Sequence, residues 1–412
     1  MKIGAFAKAN QTSIDTIRHY MDLNLIVPEK VGGQYDFDAI CQTDYEEICK
    51  LKAIGFTLSE IQTLLLFRRI GKLTGYHRRM TYQAYFDQKR AKIADEILRL
   101  EQMARALQDE IGRMAQDAKV LPEKVTTTGV PLDYLELLRC RQCSGSYQLS
   151  DAKVHNHHIV DGELSCHCGQ VLRIQNGILI GEGARLELSE DVNTSYEETF
   201  VDDYILTTSP DYLKKLYQGL EWTKRHMDFQ SFENAVCMEL GTGHGFFMRH
   251  FIDAFPATTV YIAIDYDLQS LQWLKSIFDR NPPKCKVLYL CADFMTLPLK
   301  PHSIDAVFDI SGSSNFAFDH PVFLLDGLET LTKQDTTLHG YYILFKNFSR
   351  HSKVAMLHRP LFTWETVKGM IGKLGYKEID HLMTEAVDQG GPLENYFVAG
   401  EKVYTAIFHG KK

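Results

Sequence analysis

Hydrophobic positions follow a single repeating spacing through residues 80–118. The repeating positions are Ile93, Ile97, Leu100, Ala104, Leu107, Ile111, Met114 and Ala118, separated alternately by four and three residues. This is the heptad pattern of a coiled coil, and a helix of this length spans about 55 Å. The pattern predicts a dimerisation helix over residues 80–118. A helical hairpin within one chain is the alternative.

Residues 1–79 alternate between helical spacings and turn signals. Helical patterns occupy residues 3–9 and 14–21, and the polar residues 10–13 between them offer an N-cap. Two capping boxes, Thr43–Glu46 and Thr57–Glu60, predict the starts of two further helices. Between the helix pairs, the glycine-punctuated residues 28–37 predict a hairpin that forms a wing.

Residues 1–79, here called the head, resemble the MerR family of transcription regulators. The resemblance rests on IGAFAKAN, SIDTIRHYMDLNLIVPEK, YDFD and LKAIGFTLSEIQTLL, in this order and followed by the dimerisation helix. It implies that residues 1–79 form a winged helix-turn-helix domain whose second helix enters the major groove of double-stranded DNA, at a palindromic promoter bound by a homodimer. Arg18, His19 and Tyr20 match the family's Arg-Tyr-Tyr run, with His19 as the departure. Together with Lys30 they are the predicted DNA contacts.

The head also departs from the family on its wing. The stretch Gly33–Phe37 lacks the arginine that the family places there to contact phosphate. Asp36, Asp38 and Asp44 would repel a nearby DNA backbone and weaken the electrostatic attraction. A helical adaptor that does not bind DNA is therefore the alternative function for this region.

Four of the nine cysteines cluster beyond a predicted linker at residues 119–131. Cys140 and Cys143 form a Cys-x-x-Cys pair, and Cys166 and Cys168 form a Cys-x-Cys pair after 22 intervening residues. Two thiolate pairs beside short strand-like runs are what a tetrahedral zinc site requires. We therefore expect residues 132–188 to form a zinc-ribbon-like domain.

This segment resembles a small zinc-ribbon family found alone or fused to methyltransferases, some members of which activate transfer-RNA methyltransferases. The family pattern has Cys-x-x-Cys twice, so the shorter second pair leaves open whether both Cys166 and Cys168 ligate. Nearby histidines are possible substitutes: His155, His157, His158 and His167. An iron–sulfur sensor or a ribbon without metal are the alternatives.

A glycine-rich turn follows a short apolar strand in the region 189–412. Its residues are Glu239, Gly241, Gly243 and Gly245 in a Glu-x-Gly-x-Gly-x-Gly pattern, and Phe246 stands where the dinucleotide fingerprint needs its third glycine. The next two apolar strands end at Asp265 and at Asp293-Phe294. Alternating strands and helices predict an α/β, doubly wound, Rossmann-like domain.

Together these residues resemble a class I S-adenosylmethionine-dependent methyltransferase. The resemblance implies that Glu239 and the glycines hold the methionine portion of S-adenosylmethionine. It also implies that Asp265 accepts the ribose hydroxyls and that Asp293 accepts from the adenine amino group, while Phe294 covers the ring. A nucleotide-fold domain with another ligand is the alternative.

No residue of the sequence identifies the methyl acceptor. Methyl transfer needs a positioned nucleophile rather than a fixed catalytic group, so the catalytic residues are unknown. Asn281-Pro282-Pro283-Lys284 resembles a base-methylating motif but precedes the third strand and ends in lysine, so we interpret it as a loop. Four residues are candidates for the acceptor pocket: Tyr196, Asn315, Phe316 and His320.

Composition narrows the class of protein. The net charge of −8 is uneven, because residues 1–120 contain 18 basic and 16 acidic residues and the remainder carries −10. The first residues lack the pattern of a signal peptide, and no apolar run approaches the ~20 residues of a membrane span. We expect a cytoplasmic protein that does not use a membrane.

The sequence predicts a multidomain DNA-binding regulator that carries a methyltransferase acting on a small molecule. Two alternatives remain. In the first, the methyltransferase-like domain is a non-catalytic sensor of an effector or of S-adenosylmethionine. In the second, the protein is an RNA methyltransferase that uses the ribbon to bind RNA. The net charge of −10 after residue 120 disfavours the RNA methyltransferase.

Overall fold

The chain divides into two units, Met1–Leu121 and Pro122–Lys412. The structure, a computed structural model, describes residues 1–71, 75–118, 128–186 and 200–412. Most of the predicted linker, residues 119–127, and the pocket candidate Tyr196 lie outside the described residues. No helix in the described part of the chain is both long and apolar enough to cross a bilayer.

The N-terminal unit contains the predicted helix-turn-helix and wing. Its elements are α1 (Ile3–Ala9), α2 (Ile14–Asp22), the antiparallel hairpin β1 (Glu29–Val31) and β2 (Gln34–Asp36), α3 (Ala39–Ala53) and α4 (Leu58–Ile70). The Ser13 hydroxyl accepts from the Thr16 N–H and caps α2, as predicted. Phe6, Ile17, Ile48 and Leu64 are fully buried in a core that these helices share.

The two predicted capping boxes have different outcomes. At α4, Thr57 and Glu60 each bond the other's backbone N–H, so that box is confirmed. The box predicted at Thr43–Glu46 is wrong, because these residues lie inside α3. The helix starts earlier, since the Asp38 carboxylate accepts from the N–H groups of Ile40 and Cys41 and satisfies them.

Asp44 also differs from its prediction as a residue that repels DNA. It is 3% exposed and forms ion pairs with both Arg68 and Arg69 of α4. Its charge is therefore compensated inside the unit, where it joins α3 to α4.

The helix that contains the heptad positions is α5 (Gly75–Ala118), 44 residues long. Its first part packs on the head: Tyr82 donates to the Leu64 carbonyl at 2.9 Å, and Lys89 donates to Glu60 at 2.8 Å. Farther along, Leu100 is 52% exposed and Leu107 is 65% exposed. Among the described residues of this unit, no second helix covers these positions, so a hairpin within the unit is not found there.

The C-terminal unit begins with short strands and continues into an alternating α/β pattern. Its first elements are β3 (Val130–Pro131), β4 (Tyr147–His155), β5 (His158–Cys166), β6 (Val171–Gln175), β7 (Ile178–Ile180), α6 (Phe200–Thr207) and α7 (Pro210–His226). The central elements are β8 (Val236–Leu240), α8 (Phe246–Phe251), β9 (Val260–Asp265), α9 (Leu268–Arg280), β10 (Lys286–Cys291), β11 (Ile304–Ile310), α10 (Gly312–Asp319) and α11 (Leu324–Leu328). The last elements are β12 (Thr332–Asn347), α12 (Trp364–Lys373), β13 (Lys377–Met383) and β14 (Lys402–Lys411).

One 12-stranded sheet contains both the ribbon strands and the α/β strands. Its order is β13-β14-β12-β11-β8-β9-β10-β7-β6-β5-β3, with β4 paired to β5. Strands β8 to β12 pair in parallel and β14 is antiparallel to both of its neighbours, which confirms the predicted doubly wound sheet and its last hairpin. The ribbon joins this sheet where β7 pairs in parallel with β10.

Both faces of the parallel strands are buried. Met238, Ile262 and Leu288 point to one apolar core, whereas their neighbours Cys237 and Tyr261 belong to the other. Because successive strand residues face opposite sides, near-continuous apolar runs such as those of β8 and β9 need helices or loops over both faces. The polar carboxyl ends of the strands are left to form a site.

Candidate functional site

The glycine-rich turn connects β8 to α8 in backbone conformations that favour glycine. Gly241 has φ +68° and Gly243 has φ +49°. A Cβ on Gly241 would lie 3.2 Å from the Gly312 Cα, so the turn packs closely against the start of α10. The turn therefore brings backbone next to the carboxyl ends of the neighbouring strands β8 and β11, where the strand order reverses. Doubly wound sheets bind ligands at such a switch point.

A cavity of about 440 Å³ opens at this edge of the sheet. Its lining includes Gly241, Gly243, Asp265, Asp293 and Phe294. The structure thus brings together five of the seven residues predicted to bind the cofactor. It also places Asn315, Phe316 and His320, three predicted pocket residues, in the same lining.

Asp265 ends β9 and orders the turn as well as lining the cavity. Its Oδ2 accepts from the Gly243 N–H at 2.8 Å, and its Oδ1 accepts from the Asp267 N–H at 2.9 Å. Burial raises the pKa of the Asp265 carboxyl to about 6, and the two backbone N–H groups oppose that rise. Two further acceptor positions of the carboxylate remain for a ligand.

Asp293 and Phe294 form the wall beyond β10. Asp293 accepts from the Met295 N–H at 2.7 Å and caps the short 3-10 helix Phe294–Thr296. Phe294 is 7% exposed and offers an apolar surface to the cavity. A carboxylate beside a ring is suited to an aromatic ligand that carries a hydrogen-bond donor.

Glu239 and Gly245 do not line the cavity. Glu239 is 1% exposed, accepts from the Tyr261 hydroxyl at 2.7 Å and has its pKa raised to about 8 by burial. A Cβ on Gly245 would lie 2.3 Å from Leu274 Cδ1, so this glycine permits α8 to pack on α9. Both residues therefore stabilise the turn without facing the cavity, whereas the sequence predicts that both contact the cofactor.

Gly183 and Arg185, in the segment after β7, also line the cavity, which the sequence did not predict. The Glu182 carbonyl accepts from the Asp293 N–H at 2.9 Å, and Arg185 forms an ion pair with Asp267 at 3.3 Å. The exit from the ribbon is therefore one wall of the site. In the sequence, the GILI run followed by glycine is the only signal near this wall, and its pattern indicates a strand of the ribbon.

A second cavity of about 560 Å³ shares Gly241, Gly243 and Asn315 with the first. Side chains of α6, α7, α8 and the segment between β13 and β14 surround it. The lining includes Phe200, Tyr204, Tyr212, Leu216, His244, Arg249, Phe318, Tyr341, Glu394 and Tyr396. Two adjoining cavities with a common wall can hold two reacting molecules next to each other.

The predicted DNA contacts fall into two groups. Arg18 and His19 are exposed on α2, and Lys30 is exposed on β1 of the wing. Arg18 also donates to Asp15 at 3.1 Å. Tyr20 instead belongs to the core: it is 4% exposed and its hydroxyl accepts from Lys52 at 3.2 Å. Its ring therefore faces away from the surface that Arg18 and His19 share.

Comparison with known families separates the two units. The family described as "MerR HTH family regulatory protein" matches residues 1–67, and "MerR, DNA binding" matches residues 47–109. The family described as "Methyltransferase domain" matches residues 237–334. The chain is a MerR-type DNA-binding region fused to a methyltransferase domain. No curated protein matches the chain.

Solved structures with a similar fold include methyltransferases. Phosphoethanolamine N-methyltransferase 2 of Haemonchus contortus is 14% identical, with a TM-score of 0.41 over 68% of this chain and 72% of that chain. A methyltransferase of Aquifex aeolicus that depends on S-adenosylmethionine is 17% identical, with a TM-score of 0.32 over 49% of this chain and 93% of that chain.

The four cysteines of the methyltransferase-linked ribbon converge on one point. Their Sγ atoms all lie within 4.8 Å of one another, and the pairs Cys140–Cys168 and Cys143–Cys166 are 3.4 Å apart. Zinc–sulfur bonds of about 2.3 Å at tetrahedral angles place sulfur atoms about 3.8 Å apart. Both cysteines of the shorter pair are therefore placed to ligate, and the donor set fits zinc without a histidine.

We predict one zinc ion per chain, bound by these four thiolates. In Cys143→Ser and Cys168→Ser, elemental analysis should show most of the zinc lost, because three thiolates leave the tetrahedral set incomplete. Cys49→Ser is the matched control, since Cys49 is exposed and outside the cluster, and it should retain the metal. Stoichiometric zinc in both ribbon variants would contradict the assignment.

Proposed function

We propose that this protein is a homodimeric transcription regulator whose C-terminal unit binds S-adenosylmethionine and methylates a small molecule. The convergence of the glycine turn, Asp265 and Asp293 on one cavity is the observation that carries the proposal. Volumes of about 300–1,000 Å³ are usual for sites of small ligands and cofactors.

Each wall of the first cavity suits one part of S-adenosylmethionine. The two remaining acceptor positions of Asp265 suit ribose hydroxyls, and Asp293 with Phe294 suits adenine. The backbone of Gly241 and Gly243 leaves room for the methionine portion, while Glu239 and Gly245 support the turn. When bound, this cofactor supplies a methyl group on a sulfonium.

The second cavity is the proposed place of the methyl acceptor. It meets the first cavity at Gly241, Gly243 and Asn315, so these residues orient the two molecules toward each other. The volume of the second cavity, about 560 Å³, lies in the usual range for sites of small ligands, which favours a small molecule as the acceptor over RNA.

We predict that S-adenosylmethionine affinity falls as pH is lowered through about 6. Protonation of Asp265, whose pKa is raised to about 6, replaces an acceptor by a donor toward the ribose hydroxyls. Calorimetric titrations between pH 8 and pH 5 should show this loss for the wild type. Asp265→Asn should bind at least ~10-fold more weakly at pH 8 and show little pH dependence. Asp253→Asn, at an exposed acid of the same unit, should behave as wild type; no binding by wild type at pH 8 would refute the cofactor.

The exposed heptad positions of α5 support the proposed homodimer. The a and d positions of the heptads, here called the seam, include Leu107, a d position that is 65% exposed. Leu98 is 53% exposed at a b position, outside the seam. A partner helix that covers the seam would remove the first from water and leave the second exposed. Two heads held in this way suit the two half-sites of a palindrome.

We predict that Leu107→Glu dissociates the dimer and that Leu98→Glu does not. Burying an unpaired carboxylate in the seam should raise the dimer dissociation constant at least ~100-fold. Sedimentation velocity over a range of concentrations measures this constant. Equal effects of the two substitutions, or a monomeric wild type, would mean that the seam does not join two chains.

For DNA, we predict that duplexes selected from a random pool contain an inverted repeat, and that Arg18→Ala weakens binding to them. Arg18 is exposed on the second helix of the motif, where a side chain reaches the major groove. We expect a loss of ~1–3 kcal/mol. Arg105→Ala, far along α5, is the control and should bind as wild type. Unchanged affinity in Arg18→Ala would remove this residue from the interface.

A further inference from the structure

The wall of the second cavity contains a carboxylate held by tyrosines. Glu394 lies between β13 and β14, and the hydroxyls of Tyr204 and Tyr212 donate to its Oε1 and Oε2 at 2.5 Å and 2.7 Å. The Tyr396 hydroxyl lies 2.9 Å from that of Tyr212. These four residues, here called the Glu394 cluster, join α6 and α7 to the segment before β14.

All four members of the Glu394 cluster line the cavity. Among the described residues of that lining, Glu394 has the one acidic side chain. A carboxylate offers about four acceptor positions, and the two tyrosine hydroxyls use two of them. The remaining positions are open to donors of a molecule in the cavity, since Glu394 is only partly buried.

Lys215 provides a positive charge behind the cluster. It is 3% exposed, does not line the cavity, and its Nζ lies 3.9 Å from the centre of the Tyr212 ring. Burial raises the pKa of Glu394, while the two tyrosine hydroxyls and the Lys215 charge oppose that rise and favour the carboxylate. The cavity therefore meets a negative group, whereas the compensating lysine lies outside it.

Arg249 is the other charged side chain among the described residues of the lining, and its guanidinium contacts groups other than Glu394. Its Nε donates to the His244 carbonyl at 2.9 Å, and its guanidinium lies 5.7 Å from the centre of the Trp273 ring. At the end of the cavity formed by the Glu394 cluster, a molecule therefore meets the negative charge of Glu394.

We propose that the second cavity selects an acceptor that bears a protonated amine, which Glu394 binds among the tyrosine rings. An ammonium group donates charge-assisted hydrogen bonds to a carboxylate and is attracted to aromatic faces, and a neutral hydroxyl gains neither benefit to the same degree. The inference rests on the proposed function, because it gives the chemical class of that acceptor.

The test compares pairs of probes that differ in charge and have nearly the same shape. The pairs are 2-phenylethylamine with 2-phenylethanol, and 3,3-dimethylbutylamine with 3,3-dimethylbutanol. Calorimetric or NMR titrations use the full chain at pH 7, with and without S-adenosylhomocysteine. We expect the wild type to bind at least one amine ~10-fold more tightly than its alcohol.

Glu394→Gln should bring the affinity ratio of amine to alcohol close to one, because it removes the charge and nearly conserves the shape. Glu394→Asp, which keeps the charge, should retain a preference for the amine. Glu385→Gln is the matched control, since Glu385 lies in the same segment and its side chain is 85% exposed, and it should keep the wild-type ratio.

Three results would overturn the inference: no binding of either amine by the wild type, equal binding of amine and alcohol, or an unchanged ratio in Glu394→Gln. Binding of S-adenosylhomocysteine is measured in the same titrations. A protein that binds it without preferring amines refutes only this inference. A protein that prefers amines but binds no S-adenosylhomocysteine refutes the proposed function instead.

Discussion

The parallel pairing of β7 with β10 is the contact on which the C-terminal unit depends. Ile178, Leu179 and Ile180 pair with the last residues of β10, and the Gly181 N–H then donates to the Cys291 carbonyl at 2.8 Å. After this pairing the chain leaves the ribbon and lines the first cavity with Gly183 and Arg185, and Arg185 forms an ion pair with Asp267. Because β5 and β6 connect β7 to the cysteines, the cysteine cluster and the wall of the first cavity belong to one sheet and share one core.

Local signals predicted the elements whose residues satisfy one another within a few positions. The Thr57 capping box needs only Glu60, and the glycine turn needs only the backbone conformations that its glycines permit. Strand-end acids such as Asp265 were also predictable, because parallel strands bring their carboxyl ends to one edge. The cysteine spacing also predicted a cluster of donors, because the two cysteines of each pair are separated by only one or two residues.

Features that depend on distant partners could not be predicted in this way. Asp44 appears as a surface acid until α4 brings two arginines to it, and Tyr20 matches a DNA-contacting pattern although the core encloses its ring. Glu239 stands in a ligand-binding motif, yet Tyr261 of the next strand takes its carboxyl. The wall at Gly183 requires the pairing of β7 with β10, which no periodicity within either strand specifies.

Acids with raised pKa values lie in the linings of the two cavities or, in the case of Asp309, beside the lining residue Gly312, and their energetics connect stability to binding. Burial raises the pKa of Asp265 to about 6 and that of Asp309, at the end of β11, to about 6, and it also raises the pKa of Glu394. An acid whose folded pKa lies above its unfolded value destabilises the folded state progressively as pH rises from the unfolded pKa to the folded one. At neutral pH the unit therefore holds carboxylates at a cost in stability. At Asp265 and Glu394, which line the cavities, a donor from a bound molecule would reduce that cost, so these two acids are the ones that gain from a ligand.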